Sequence, residues 1–236
     1  MSRNNWIDFW NKNQSGFHTI MANTTKYFTK QYLQNFPLSS KEVLLDYGCG
    51  PGFFLQNCTR FPNSFFGADI SKNHIELCSN KFRNHHNFEF FHIPDPFDFL
   101  KTTSLIRDLQ ISRIVCLSVL QYFPDEETVT KFLDYIFNSS KVHLVFGDVI
   151  PRKNSILKDT VHVFWEALKN GFLMDYVIFM TKTFFSDYFW RNKAPLLQLD
   201  KSFFEDYAIK NNLKLEFLNL TIPKTRFTAV LSNREL

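Results

Sequence analysis

Glycine is scarce in this chain: 7 residues in 236, beside 29 phenylalanines. Three of the seven stand at alternate positions, 48, 50 and 52, so one short stretch needs a backbone that side chains would obstruct. The four cysteines, Cys49, Cys58, Cys78 and Cys116, form no CxxC pair and no Cys/His cluster with zinc spacing. A zinc centre is thereby excluded, and reduced thiols in a cytoplasmic protein are the expectation. Lys and Arg number 27 against 23 acids, a formal charge of +4, but they are scattered and form no basic block. The electrostatic footprint of a nucleic-acid binder is therefore missing. Residues 1–16 contain no apolar run of the signal-peptide kind, so no signal peptide is expected. The most apolar window, 171–190, is interrupted by Asp175, Lys182 and Asp187, and no transmembrane segment is expected.

What is present suits a folded domain. The chain is 44% hydrophobic, 21% charged and 17% aromatic, enough apolar matter to bury a full core. Its length fits one domain over 1–236 with an elaboration. Residues 1–37 have an amphipathic helical pattern, with Trp6, Phe9 and Trp10 on one side, a break near Gly16 and a stop at Pro37. From residue 43 the rhythm changes. Short apolar runs at 43–47, 64–69, 87–93, 112–118 and 142–150 read as strands, and the first four are each followed by a helical segment. Ser71 is a good helix N-cap, and Pro124 with the acids after it suits a helix start. Continuous apolar strands alternating with helices predict a parallel sheet covered on both faces. Residues 151–195 break the alternation as a long, aromatic, helical insertion. A helix over 201–212 and strands at 213–221 and 226–232 follow, and the closing hairpin predicts an antiparallel edge strand.

The glycines sit where the first strand ends, in VLLDYGCGPGFF, residues 43–54. A strand, a glycine turn and a helix form a Rossmann-type ligand site, with the ligand outside the carboxyl ends of the strands. An acid, Asp46, closes the first strand, and a second, Asp69, closes the next, where a carboxylate can accept both hydroxyls of a ribose.

DYGCGPG (46–52), GADIS (67–71) and LSVLQYF (117–123) together resemble the motifs of the class I S-adenosylmethionine-dependent methyltransferases. The resemblance covers about residues 40–150 and 200–232. It implies a Rossmann-like, seven-stranded, mostly parallel sheet with an antiparallel last strand. It implies S-adenosyl-L-methionine as cofactor and S-adenosyl-L-homocysteine as product. On that resemblance the cofactor residues are Asp46 for the methionyl ammonium, Gly48, Cys49, Gly50 and Gly52 in the turn, Asp69 for the ribose and Ile70 for the adenine. His92, Ile93, Ser118 and Tyr122 complete the set. The family's organisation would make 1–37 a helical cover, 40–150 the cofactor core, 151–195 an inserted lid and 200–236 the C-terminal helix and hairpin. Two departures stand out. Pro94 takes the place of the acid that often meets the adenine, leaving Asp95 or the backbone of His92 and Ile93 for that contact. Gln121 stands where a histidine is frequent, which removes a base there. Ser118, not an acid, follows the fourth strand, so no catalytic metal is expected.

The acceptor is less legible. His162, with Asp159 and Glu166 at helical spacing, is one candidate base, and Asp148 at the end of the fifth strand is a second acceptor-site residue. His18 and Tyr27 come from the N-terminal helices. The aromatic insertion reads either as a buried cap with a homodimer face or as a lid over an apolar, aromatic or sugar- or lipid-linked acceptor. An anionic group on that acceptor would pair with Arg152, Lys153 or Arg191. The expected activity is methylation of a small molecule, at oxygen. The alternatives are an N-methyltransferase, a non-catalytic cofactor-binding subunit and, from another class, a nicotinamide oxidoreductase.

Overall fold

A computed structural model describes residues 18–184 and 196–234. Trp6, Phe9 and Trp10 of the sequence reading lie outside the described residues, as does the end of the insertion from residue 185 to 195. The strands are β1 (Val43–Tyr47), β2 (Ser64–Asp69), β3 (Phe88–His92), β4 (Arg113–Leu117), β5 (His143–Val149), β6 (Lys214–Leu218) and β7 (Phe227–Ser232). The helices are α1 (His18–Asn35), α2 (Phe53–Gln56), α3 (Lys72–Lys81), α4 (Phe99–Asp108), α5 (Glu126–Ser139), α6 (Ile156–Lys169), α7 (Leu173–Phe184) and α8 (Lys201–Lys210). Ser71 caps α3 as expected, its side chain accepting from His74 N.

The strands form one sheet in the order β3-β2-β1-β4-β5-β7-β6. β7 is antiparallel to both β5 and β6. The last strand is antiparallel, as the resemblance implies, but it is not the edge that the closing hairpin alone suggests: β7 lies inside the sheet, and β6 forms the edge. All six residues of β7 are buried, which an edge strand would not achieve.

Two apolar layers sandwich the sheet. One is centred on Phe132, whose ring meets Tyr47, Phe99 and Phe123 at 5.3, 5.6 and 5.4 Å. The other packs α1 through Phe28, Tyr32 and Phe36 against Leu44, Val115 and Val145. All four cysteines are free and buried.

At the amino ends of β1, β4 and β5 a buried polar group anchors α1. Arg113 Nε donates to Glu42 Oε1 at 2.5 Å, and its other nitrogens donate to the carbonyls of Phe36 and Pro37 at 2.9 and 3.0 Å. His143 beside it is fully buried, and neither ring nitrogen has a hydrogen-bond partner among the described residues. Burial first, and then Arg113, pushes its pKa down to about 4.

A histidine depressed in the folded state and ordinary in the unfolded one leaves stability intact above pH 6.5 and removes it as the pH falls from 6.5 towards 4. His143→Phe keeps the ring that packs on Phe36 at 4.7 Å and carries no nitrogen to charge. It should fold with at least wild-type stability and remove up to about 3 kcal/mol of the loss between those pH values. Urea denaturation across the range measures this, and an unchanged pH dependence would refute it.

Candidate functional site

The chain turns as soon as β1 ends. Gly48, Gly50 and Gly52 have φ values of 80°, 50° and 73°, which L side chains avoid. The N–H groups of Gly48 and Cys49 both donate to the carbonyl of Ala68 in β2, at 2.7 and 3.0 Å, so the turn is stapled to its neighbouring strand. The glycines meet different needs. A Cβ on Gly48 would stand 2.3 Å from Val119 Cγ2, and one on Gly52 2.9 Å from Cys78 Sγ. A Cβ on Gly50 would meet nothing within 4 Å. Gly48 and Gly52 thus have packing reasons of their own, and Gly50 faces open space.

That space is a cavity of about 520 Å³ over the carboxyl ends of the strands. It sits where the strand order reverses between β1 and β4. Asp46, Gly48, Cys49, Gly50, Asp69, Ile70, Ile93, Ser118, Tyr122 and Asp148 all line it. Gly52 and His92 do not. The His92 ring is exposed, with Nε2 3.0 Å from the carbonyl of Ile70. Asp95 is also off the wall, its Oδ1 accepting from Phe97 N at 3.0 Å.

Two carboxylates share the inner wall and differ in environment. Asp69 is well supplied: Oδ2 accepts from Gly50 N at 2.8 Å, and Oδ1 accepts from Ser71 N at 2.7 Å with His74 Nδ1 at 3.4 Å. Asp46 is 2% exposed and takes no hydrogen bond from the described residues. Burial, and then the charge of Asp69, pushes its pKa up to about 8. Cys49 is no thiolate nucleophile, because a hydrogen bond with Cys78 and burial raise its thiol well above the ordinary value.

On the opposite side, Ser118 and Asp148 close β4 and β5 with φ values of 56° and 67°, a conformation uncommon outside glycine and concentrated at functional sites. Ser118 Oγ donates to Asp148 Oδ2 at 2.7 Å, and an Arg226 terminal nitrogen donates to the same oxygen at 2.8 Å. Asp148 Oδ1 receives no hydrogen bond from the described residues. Arg226 Nε lies 3.5 Å from Asp159 Oδ2 in α6, and Thr225 donates to Asp159 Oδ1 from its backbone and its hydroxyl at 3.1 and 2.7 Å. Asp148 first, and Asp159 with it, raises the pKa of Arg226. Gln121 Oε1 and Thr221 Oγ1 are buried in the lining without a partner among the described residues. The remaining wall is mainly apolar, with Ile20, Met21 and Phe28 from α1 and Val163 and Phe179 from α6 and α7, interrupted by the hydroxyls of Thr24, Thr25 and Thr160.

The structure does not bring His162 to this wall. Its expected orienters are engaged elsewhere: Asp159 with Thr225 and Arg226, and Glu166 with Lys169 at 3.1 Å and Asn170 at 3.2 Å. The residues three and four along the helix from a given side chain share its flank, but α6 turns its Asp159 edge inward and leaves His162 beside it. His18 is also off the wall and meets the Phe53 ring edge-on at 5.8 Å. Tyr27 packs in the small cluster under the lid. Arg152 is paired with Glu126 and Asp200 away from the cavity, and Arg191 lies outside the described residues. Arg226, His74 and Thr221 line the cavity and were missed. A single cation before a strand, or a threonine in a loop, carries no spacing signal. Among the described residues no group of three or more His, Cys, Asp or Glu is arranged to hold a metal ion.

The arrangement has known counterparts. The family model described as a methyltransferase domain matches residues 19–172, more than half of the chain. No curated protein matches. The fold is similar to that of magnesium protoporphyrin IX methyltransferase from Synechocystis PCC 6803 with bound S-adenosylhomocysteine, at a TM-score of 0.58 and 14% identity over 92% of this chain and 84% of that one. It is also similar to human N-acetylserotonin methyltransferase in complex with S-adenosylmethionine, at a TM-score of 0.56 and 13% identity over 88% of this chain and 52% of that one. The sheet thus follows a shared plan, and the chain is a member of the class I S-adenosylmethionine-dependent methyltransferases.

Proposed function

We propose that the cavity holds S-adenosyl-L-methionine against the glycine turn and that the chain transfers its methyl group to a small apolar acceptor, at oxygen. The bound cofactor supplies an electrophilic methyl group on a sulfonium. Asp46 carries the reading: a buried carboxylate with no hydrogen bond from the described residues is matched to a cation, here the methionyl ammonium. Gly50 fits the same ligand, because its missing side chain leaves the adjoining space open. Asp69 faces the ribose hydroxyls with the lone pairs that Gly50 and Ser71 leave free, and Ile70 and Ile93 pack on the adenine. Cys49, Ser118 and Tyr122 complete the cofactor wall.

An acceptor hydroxyl needs a base as it attacks, and an amine hardly does. Asp148 is placed for that task. Arg226 and Ser118 hold one of its oxygens, and the other is left for the acceptor's proton. Gln121 Oε1 and Thr221 Oγ1 offer further unused acceptor atoms, which suits a substrate with a hydroxyl donor. The wall from α1, α6 and α7 suits an apolar body. We read the whole chain as one domain, with α1 as part of the cover and α6 and α7 as the inserted lid. The four free buried cysteines suit a reducing compartment such as the cytoplasm.

Three measurements test this. In calorimetry S-adenosylhomocysteine should bind and NAD should not. Between pH 6 and 7.5 binding should release close to one proton, because the Asp46 carboxyl sits at about 8 without ligand and is ionised beside an ammonium. Affinity should then rise up to about tenfold per pH unit. Asp46→Asn should abolish the release, and an unchanged proton count would displace Asp46 from the ammonium. The glycines give a contrast: Gly50→Ala should fold with a loss of about 1–2 kcal/mol and bind S-adenosylhomocysteine poorly. Gly48→Ala should lose stability more heavily, since its Cβ meets Val119 at 2.3 Å. Thermal melts beside calorimetry separate the two. Asp148→Asn should lower kcat on a hydroxyl acceptor by about 10²–10⁴-fold with cofactor affinity retained. Full kcat on an amine acceptor in that variant would move the reading to nitrogen.

A further inference from the structure

Three strands each deliver an unanswered oxygen to the acceptor end of the cavity. β4 runs into Gln121, whose Oε1 is buried, and β6 runs out to Thr221, whose Oγ1 is buried. Between them β5 carries Asp148, whose Oδ2 takes both hydrogen bonds and leaves Oδ1 bare. None of the three oxygens meets a donor among the described residues, and all three residues line the cavity. The sheet explains their meeting. β6 and β5 are both antiparallel to β7, and β4 is parallel to β5, so the carboxyl ends of β4, β5 and β6 lie on one side. An oxygen held from water without a hydrogen bond is costly, and three in one wall call for a ligand that brings donors.

The donors nearby are spent within the protein. Ser118 and Arg226 serve Asp148 Oδ2, and Thr225 serves Asp159. Thr24 Oγ1 donates to the Ile20 carbonyl at 2.9 Å, and the Tyr176 hydroxyl donates to the Thr160 carbonyl at 3.0 Å. A carboxylate or phosphate on the acceptor would therefore meet oxygen lone pairs. A molecule with one hydroxyl would answer one oxygen and leave two bare. An ammonium is disfavoured, because Arg226 stands 2.8 Å from Asp148 and already balances its charge. Neutral donors remain, and each has to come from the same small molecule. The walls above the oxygens, Met21 and Phe28 from α1 and Val163 and Phe179 from α6 and α7, suit the faces of an apolar body.

We propose that the acceptor carries two or more hydroxyls along the edge of an apolar ring or chain. One hydroxyl faces Asp148 for methylation, and the others are held by Gln121 Oε1 and Thr221 Oγ1. The inference rests on the methyl-transfer reading and narrows its acceptor. The attacking oxygen gives its proton to Asp148 as a carbon–oxygen bond replaces the carbon–sulfur bond, whose electron pair stays on sulfur. Gln121 and Thr221 then determine specificity: a site built to hydrogen-bond a hydroxyl rejects the analogue that lacks it, because its own oxygen is left bare. The methylated product has one hydroxyl fewer than the acceptor, so it is held less tightly and the reaction stops at one methyl group.

Calorimetry on the full-length protein saturated with S-adenosylhomocysteine tests this with three probes on one ring: phenol, resorcinol and 3-methoxyphenol. Resorcinol should bind about fivefold to tenfold more tightly than phenol. 3-Methoxyphenol is larger and has a single hydroxyl, and it should bind no better than phenol. Thr221→Val with Gln121→Leu removes both unanswered oxygens at nearly constant volume. It should erase the advantage of resorcinol while S-adenosylhomocysteine binds as in the wild type. If the double variant does not fold, the single variants take its place, and at least one of them has to narrow the advantage. Equal affinity for phenol and resorcinol, tighter binding of 3-methoxyphenol than of resorcinol, an advantage that survives both substitutions, or no binding of any probe would overturn the proposal. Failure of S-adenosylhomocysteine itself to bind would sink the methyl-transfer reading instead, and the same three probes on the free protein would still report the preference for donors.

Discussion

Two carboxylates, Asp46 and Asp69, close adjacent central strands in one buried wall, and the site follows from how their charge is held. Burying one carboxylate is costly, and a second nearby raises the cost of ionising both. The chain treats them unequally. Asp69 is surrounded by donors, and two of these, the N–H groups of Gly50 and Ser71, belong to the glycine turn and to the cap of α3. The same carboxylate thus fixes the turn, ends β2 and starts the next helix. Asp46 receives no such support from the described residues, and its proton is retained in the face of its neighbour's charge. A wall with one satisfied and one unsatisfied acid is prepared for a ligand with a cationic end.

A second tie joins parts of the chain that are far apart in sequence. Arg226, just before β7, reaches Asp148 at the end of β5 and Asp159 in α6. The insertion of β7 between β5 and β6 makes this reach feasible, because it sets the start of β7 beside the end of β5. Were β7 at the edge, the cation would lie a strand further away. Arg226 thereby ties α6 to the Asp148 side of the cavity, alongside the bonds that Thr225 gives Asp159 and Ser118 gives Asp148. Truncating it would leave the buried Asp159 and the half-buried Asp148 without their cation, so a defect in Arg226 would reach both α6 and the end of β5.

Much of the frame was legible because its signals are local. Apolar runs bounded by turn residues placed β1 and β2 at 43–47 and 64–69, where the structure has them, and Ser71 was readable as a cap from its own chemistry. The glycine turn and the acids Asp46 and Asp69 follow from the end of one strand and the end of the next. What escaped depends on contacts between distant residues. No pattern in 226–232 tells a strand at the edge from one inside the sheet until both neighbours are known. The separate reasons for Gly48 and Gly52 lie in Val119 and in Cys78, 71 and 26 residues away in the chain. His162 stands off the cavity wall for a related reason. Helical spacing shows which residues share a flank, whereas Thr225 and Arg226 decide which part of the flank turns inward.

The many aromatic residues divide into two populations, and the division bears on the lid. Those of the sheet layers are enclosed by one another: Phe65, Phe82 and Phe88 stack at 4.8–4.9 Å, and Phe132 is ringed by four aromatic neighbours. Such groups recover the cost of ordering a large ring by removing nearly all of it from water. Phe164 and Trp165 meet edge-on at 5.7 Å, yet they stay 37% and 53% exposed. Their rings make the same kind of contact and gain only part of the burial. In α6 the polar residues are confined to its ends, to His162 and Glu166 and to inward positions. The outer side of α6 therefore carries large apolar groups without the enclosure that the rings of the sheet layers give one another.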